Sequence, residues 1–152
     1  EKQVHLCIMR IVLDTNVLLK GLFSHINPSR RIINLAMEGK IVIAGSSASM
    51  AEFDEKLQLE RFRPYFEKQK FSPQLLLNTY QNVVTLTDIS DELRELTVCR
   101  DPDDDEFLRI ALQKNSKIIV TEDKDLLDLG RYEDIRIVRP KKFIEIYDKI
   151  RR

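Results

Sequence analysis

The sequence predicts an α/β protein in which helices cover both faces of a mostly parallel sheet of four to five strands. Three observations carry that expectation. Short apolar runs rich in β-branched residues alternate with longer amphipathic stretches along the chain. Only four glycines and five prolines occur among 152 residues, with no internal repeat and no Gly- or Ser-rich linker. Two of the strongest apolar runs lead directly into aspartates, at the sheet edge where parallel α/β proteins keep their loops and ligands.

The elements follow in order. Residues 10–13 read as a buried strand stopped by Asp14. Residues 28–38 read as a helix, with Ile32, Leu35 and Ala36 on one face and Gly39 as its stop. Residues 41–44 are apolar and mostly β-branched, as a strand covered on both sides is. Ser46 or Ser47 caps the next helix, which sets Met50, Phe53 and Leu57 at helical spacing. Ser72 and Pro73 open another helix, serine as cap and proline in the first turn. Residues 83–86 are the third strand candidate, and residues 102–115 a helix with Phe107, Leu108, Ala111 and Leu112 facing inward. Residues 117–121 contain Ile118, Ile119 and Val120, the clearest strand of the second half. Residues 135–138 make the last strand, and Pro140 starts a terminal helix carrying Phe143, Ile144, Tyr147 and Ile150.

Hydrophobic residues make up 43% and charged residues 33%, as in an ordinary globular domain with one apolar core. Residues 9–152 are expected to form a single domain and residues 1–8 an N-terminal extension. No apolar run approaches the roughly 20 residues that a membrane span needs. The start of the sequence lacks a secretory-leader pattern, so a cytoplasmic location is expected. Cys7 and Cys99 have neither metal spacing nor a disulfide-rich context, which reads as two thiols in a reducing compartment. Lys plus Arg and Asp plus Glu number 25 each, giving zero net charge. Nucleic-acid binders are often basic overall. Chemistry on a nucleic acid therefore requires the acids to cluster in a site with the bases around it.

The chemistry lies in the carboxylates. If the strands before Asp14 and before Thr121, Glu122 and Asp123 are parallel, Asp14 and Asp123 emerge on one edge of the sheet. Residues 101–106 form an acidic run at a helix start, and Glu52 sits about two turns into the helix after the second strand. Converging carboxylates raise one another's pKa unless a cation neutralises them. Hard oxygen ligands suit Mg²⁺ or Mn²⁺, and no His/Cys set exists for zinc. A cation so held activates a water for phosphodiester hydrolysis. Each acid also has a plainer role: Asp14 as a helix cap, Asp123 as a turn residue, the 101–106 run as a helix start, and Glu52 as surface. It is the ensemble that points to a site.

Other acidic patterns fit less well. Asp101, Asp103 and Asp105 begin like a calcium loop, but Glu106 stands where glycine is required and Leu112 where glutamate is. An aspartyl phosphotransferase wants an acid two residues after the nucleophile, and Asn16 stands there. No glycine loop cradles phosphate, and His5 and His25 are isolated.

Residues 9–18 (Met-Arg-Ile-Val-Leu-Asp-Thr-Asn-Val-Leu), 99–108 and 119–127, in this order and spacing, resemble PIN-domain ribonucleases. The combination resembles the subgroup of toxins from toxin–antitoxin pairs (VapC-like). The resemblance implies a three-layer α/β/α sandwich, and Mg²⁺ or Mn²⁺ held by three or four acids. Carried over by position, these are Asp14, Glu52, Asp104 and Asp123, with Asp105 as the adjacent alternative to Asp104 and Asp125 as a further acid. Asn16 matches a side chain that braces the site and Thr121 a hydroxyl beside it. An antitoxin and a homodimer are the partners implied.

The expected function is metal-assisted hydrolysis of RNA, with no side-chain nucleophile. Lys20, Arg30, Arg31, Lys56, Arg61 and Arg63 are candidates for steering phosphates, none singled out. Two alternatives share the scaffold: a non-catalytic RNA- or protein-binding domain, and a structure-specific DNA nuclease.

Overall fold

The computed structural model describes residues 8–59, 62–69 and 72–151. Most of the expected N-terminal extension, with His5 and Cys7, and the candidate base Arg61 lie outside these residues. Among the described residues six strands form one sheet: β1 (Met9–Leu13), β2 (Ile41–Gly45), β3 (Val84–Leu86), β4 (Ile118–Val120), β5 (Arg131–Tyr132) and β6 (Ile135–Val138), in the order β3-β2-β1-β4-β6-β5. All neighbours pair in parallel except β5 with β6. Five of these strands coincide with the expected runs. The sixth, β5, adds one strand to the expected four to five. Two residues at a sheet edge are too short to leave a hydrophobic period, and the hairpin is set by backbone, with Gly130 at φ +67° and Glu133 at φ +52°.

The period-two alternation of the strands splits the core into two layers. Ile11, Leu13, Ile41, Ile43, Ile118 and Val120 face one side. There they meet α1 (Thr15–Leu22), α2 (Pro28–Met37), α3 (Ser47–Leu57), α5 (Pro73–Val83) and α9 (Pro140–Ile150). Val12, Ala44, Ile119 and Ile137 face the other side, against Phe107, Leu108, Ile110 and Ala111 of α7 (Asp105–Lys114) and Leu126 of α8 (Lys124–Leu129). The result is the three-layer α/β/α sandwich. Among the described residues no helix is long and apolar enough to cross a membrane.

Caps account for the helix boundaries. Asn27 accepts from the Arg30 N–H and Pro28 fills the first turn of α2, while Gly39 takes φ +74° just past its end. Ser46, not Ser47, caps α3, and Ser49 completes a capping box. Ser72 caps α5. The helix expected over 102–115 divides into a 3₁₀ turn (Pro102–Asp104) and α7, which ends on left-handed Asn115. Two further short helices, α4 (Arg63–Gln69) and α6 (Asp91–Arg94), had no clear apolar period to announce them.

Helices α1 and α2 cross at Gly21. A methyl group there would meet Ile33 Cδ1 at 2.4 Å and the Ser29 carbonyl oxygen at 2.8 Å. Backbone cannot yield as a side-chain tip does, so overpacking of this kind costs about 1–3 kcal/mol. Gly21→Ala is expected to lower unfolding stability by that amount, read in urea as a lower midpoint with an unchanged m-value; an unchanged midpoint would show that the helices part freely.

Candidate metal centre

The strand order places a topological switch between β1 and β4: the chain builds outward from β1 through β2 to β3, then returns to lay β4 on the other side of β1. Ligands of open α/β sheets bind at that point, beyond the carboxyl ends of the strands. Asp14 stands there. Its backbone N–H donates to the Val120 carbonyl (2.9 Å), extending the β1–β4 ladder by one bond. Its side chain is 5% exposed. Oδ1 accepts from the Asn16 N–H (3.1 Å), capping α1, and Oδ2 accepts from the Thr121 hydroxyl (2.6 Å). Capping and site membership are therefore not alternatives, because each carboxylate oxygen keeps a further lone pair.

Thr121 is fully buried and its oxygen works in both directions. It donates to Asp14 and accepts from the Asp123 N–H (2.9 Å), so one hydroxyl links the turns that carry the two aspartates. Asp123 in turn caps α8, with Oδ2 accepting from the Leu126 N–H at 3.1 Å. Asp104 approaches from the 3₁₀ turn before α7, half-buried and hydrogen-bonded to Asp123. Burial, reinforced by the charges of Asp123, Asp101 and Asp14, pushes its carboxyl up to about 7.

The adjacent aspartates, equivalent in sequence, have separate tasks. Asp105 is 1% exposed, and its Oδ1 accepts from the backbone N–H groups of Val98 (3.0 Å) and Cys99 (2.7 Å). It pins the loop before the acidic turn while Asp104 faces Asp123. The Cys99 thiol beside it is driven up to about 12, by burial first and then by Asp105. Asp125 pairs with Arg100 at 3.7 Å.

Glu52 of α3 is tied to the start of α1, next to Asp14 in sequence. Its Oε2 accepts from the Thr15 hydroxyl (3.1 Å), and Lys56 lies 3.3 Å from Oε1. Lys56 also donates to Asn16 Oδ1 (3.1 Å), so Asn16 is bonded to Lys56 by its side chain and to Asp14 by its backbone N–H. Among the other basic candidates, Lys20 is ion-paired with Glu122. Arg31 forms a two-pronged bond to Asp148 of α9 (2.6 and 3.0 Å), which ties helices together.

Sequence reasoning passed over Glu106 as one more member of an acidic run. It is nearly buried, accepts from the Ser46 hydroxyl, and is ion-paired with Arg94 (2.8 Å) and Arg109 (3.4 Å). Arg109, three residues on, was the one local signal; Ser46 lies 60 positions away.

Among the described residues no three His, Cys, Asp or Glu side chains stand as a ready-made ligand cage. The donor chemistry nonetheless suits a hard divalent cation. Asp14 and Asp123 are linked through Thr121 and both act on Asp104 in a partly desolvated crevice, where burial first and then these charges raise the Asp104 carboxyl.

Comparison with known proteins agrees with this architecture. The PIN-domain family model matches residues 10–125. The uncharacterized protein MJ1680 of Methanocaldococcus jannaschii is 29% identical over 149 residues, 93% of each chain. In fold, the chain is similar to one in the crystal structure of VapBC2 from Rickettsia felis bound to a DNA fragment from their promoter. That match has a TM-score of 0.58 at 17% identity, and covers 85% of this chain and 97% of that one. With the family model spanning both the first strand and the turn of Asp123, the chain belongs to the PIN-domain family.

Proposed function

We propose that this chain is a divalent-metal-dependent endoribonuclease, acting in the cytoplasm as the toxin of a toxin–antitoxin pair. PIN domains are generally nucleases that use divalent metals. The observation that carries the reading is the linkage of Asp14 to Asp123 through the Thr121 hydroxyl, with Asp104 hydrogen-bonded to Asp123, at the switch point of the sheet. The toxin assignment draws on the likeness of the three sequence blocks to that subgroup and on the fold shared with a VapBC2 chain. An antitoxin that covers the crevice and a second copy of the chain are the partners it implies.

In this proposal Asp14, Asp104 and Asp123 would hold Mg²⁺ or Mn²⁺, with Glu52 on the α1 side. A bound divalent cation supplies an activated water and screens charge on the phosphoryl oxygens. The protein's own groups do the rest. Thr121 fixes the rotamer of Asp14, leaving oxygen lone pairs for the crevice. Asp104, its carboxyl raised by burial and its neighbours, would serve as a ligand in its deprotonated form. Asp105 and Glu106 hold the backbone that presents Asp104, and Lys56 ties Glu52 to Asn16 at the start of α1. Asp125, paired with Arg100, is a peripheral acid.

Three outcomes test this. Mn²⁺-dependent cleavage of a labelled RNA is expected, falling to background with EDTA or with Asp14→Asn. RNA binding that survives both treatments without any product would favour a non-catalytic scaffold, and cleavage of DNA in preference to RNA a structure-specific DNA nuclease.

The second concerns pH. Asp104 has an ordinary value of 3.8 when exposed and about 7 in the fold. Between these values the folded protein holds a proton that the unfolded chain has lost, so metal-free stability declines as pH rises from about 4 through 7. Melting curves should show that decline, and Asp104→Asn should flatten it. Apparent Mn²⁺ affinity should climb over the same window, because the cation displaces the proton. A flat metal-free profile would remove Asp104 from the cluster.

The third separates the adjacent aspartates. Asp105→Ala leaves two backbone donors unmet and should cost about 1–3 kcal/mol in chemical denaturation. Asp104→Asn should abolish cleavage with stability kept or raised. Reversed effects would exchange the two roles.

A further inference from the structure

An open groove of about 710 Å³ runs past the acids, and Asp123 is part of its lining. Its aromatic wall is closed: Phe23 stacks on Phe62, with ring centroids 5.6 Å and planes 21° apart, and meets Phe66 of α4 edge-on at 5.8 Å. What the groove offers a ligand is therefore polar, and most of it is donor. Lys20 of α1 is ion-paired with Glu122, which occupies one of its three ammonium N–H groups. Lys124 is exposed, and among the described residues no carboxylate pairs with it. The neutral side chains have acceptors already engaged. Asn16 Oδ1 accepts from Lys56 (3.1 Å), Asn27 Oδ1 from the Arg30 N–H (2.8 Å) and Ser24 Oγ from the Ile26 N–H (3.4 Å). Each keeps an N–H or O–H to give.

The geometry points to a phosphate subsite in this groove, where Lys20 and Lys124 hold the phosphodiester next to the one that the acids act on. The inference rests on the nuclease reading for the place of the scissile phosphate. Phosphodiester oxygens accept hydrogen bonds and donate none, which matches a lining whose free groups are donors. Charge agrees. Lys20 and Lys124 face Glu122 and Asp123, two charges of each sign. In the nuclease reading Asp123 is screened by the cation it helps to hold, and the lining is left with one positive charge in excess. That excess matches a single phosphodiester, opposite in sign. Continuity sets the register. Asp123 belongs both to the acid cluster and to the groove, so a strand with one phosphate at the cluster brings its next phosphate to the two lysines. Glu122 keeps Lys20 in the groove when no strand is bound, and releases it at little cost, because exposed ion pairs contribute little.

The test uses the full chain as Asp14→Asn in MnCl₂, so that binding is read without cleavage. Its ligand is a short unstructured oligoribonucleotide with a fluorescent end label, titrated across a salt series. Lys20→Gln combined with Lys124→Gln is expected to reduce the slope of log affinity against log salt by about 0.7, the value of one single-strand phosphate. At fixed salt the loss is about 2- to 5-fold, the upper range for exposed ion pairs. Glu122→Gln frees Lys20 and should tighten binding by a similar factor, a gain that damage to the fold does not produce. A single neutral methylphosphonate linkage is then moved along the strand. The doubly substituted chain should lose its sensitivity to that linkage at one position, next to the scissile one, and keep it elsewhere. An unchanged salt slope, or a methylphosphonate profile identical to that of the parent chain, overturns the subsite. So does a Glu-rich peptide whose binding needs both lysines while that of the oligonucleotide does not, which assigns the groove to an acidic protein segment. Cleavage by the chain with Asp14 intact is scored separately. Mn²⁺-dependent product at an unchanged KM with both lysines replaced sinks the subsite alone, whereas a lysine-dependent phosphate position without Mn²⁺-dependent product sinks the nuclease reading alone.

Discussion

Like charges held close together at one end of a parallel sheet are the constraint around which this molecule is arranged. Asp14, Asp104 and Asp123 come from three different turns, and left to themselves they would separate or take up protons. The backbone gives them little choice. Asp14 is an extra rung on the β1–β4 ladder, and the Thr121 N–H donates a rung of its own to the Val138 carbonyl on the far side (2.9 Å). The Thr121 hydroxyl then fixes the distance between the two strand ends. The elevated carboxyl of Asp104 reflects its burial first, and then the repulsion that this rigidity does not relieve.

Several acids act twice. Asp14 and Asp123 cap α1 and α8, Asp101 caps the 3₁₀ turn, and Asp105 serves as acceptor for the loop at Val98 and Cys99. Negative charge at a helix start is favourable in itself, because the unpaired N–H groups and the helix dipole both welcome it. Such positions let a fold carry a dense acidic edge with part of the electrostatic penalty offset locally. Glu106 is accommodated differently, by two arginines and a serine hydroxyl in a nearly closed space.

Most of the sheet was legible in the sequence because its strands are covered on both faces, leaving uninterrupted runs such as Ile118, Ile119 and Val120 that no surface element would carry. The PIN-domain likeness was legible because Asp14, Asp104 and Asp123 fall at fixed distances from those runs. Less visible was everything that depends on contacts between distant residues. Nothing local distinguishes Asp104 from Asp105; the difference arises from which one the turn aims at residues 98–99. Glu106 needs Ser46 and Arg94, and the Phe23–Phe62 stack joins the end of α1 to a segment whose sequence announces no structure. β5 is fixed by two left-handed residues, and only one of them is a glycine.

The bond between Thr121 and Asp14 spans 107 positions, and the strand that holds Thr121 in place ends at Val138. Contacts of such separation form late, after the local helices. On the ribosome, a growing polypeptide therefore carries Asp14 without this partner until 107 further residues have been added. The crevice comes into being only when the last parallel strand has emerged and docked. A chain interrupted earlier would be inert, whatever it does when whole.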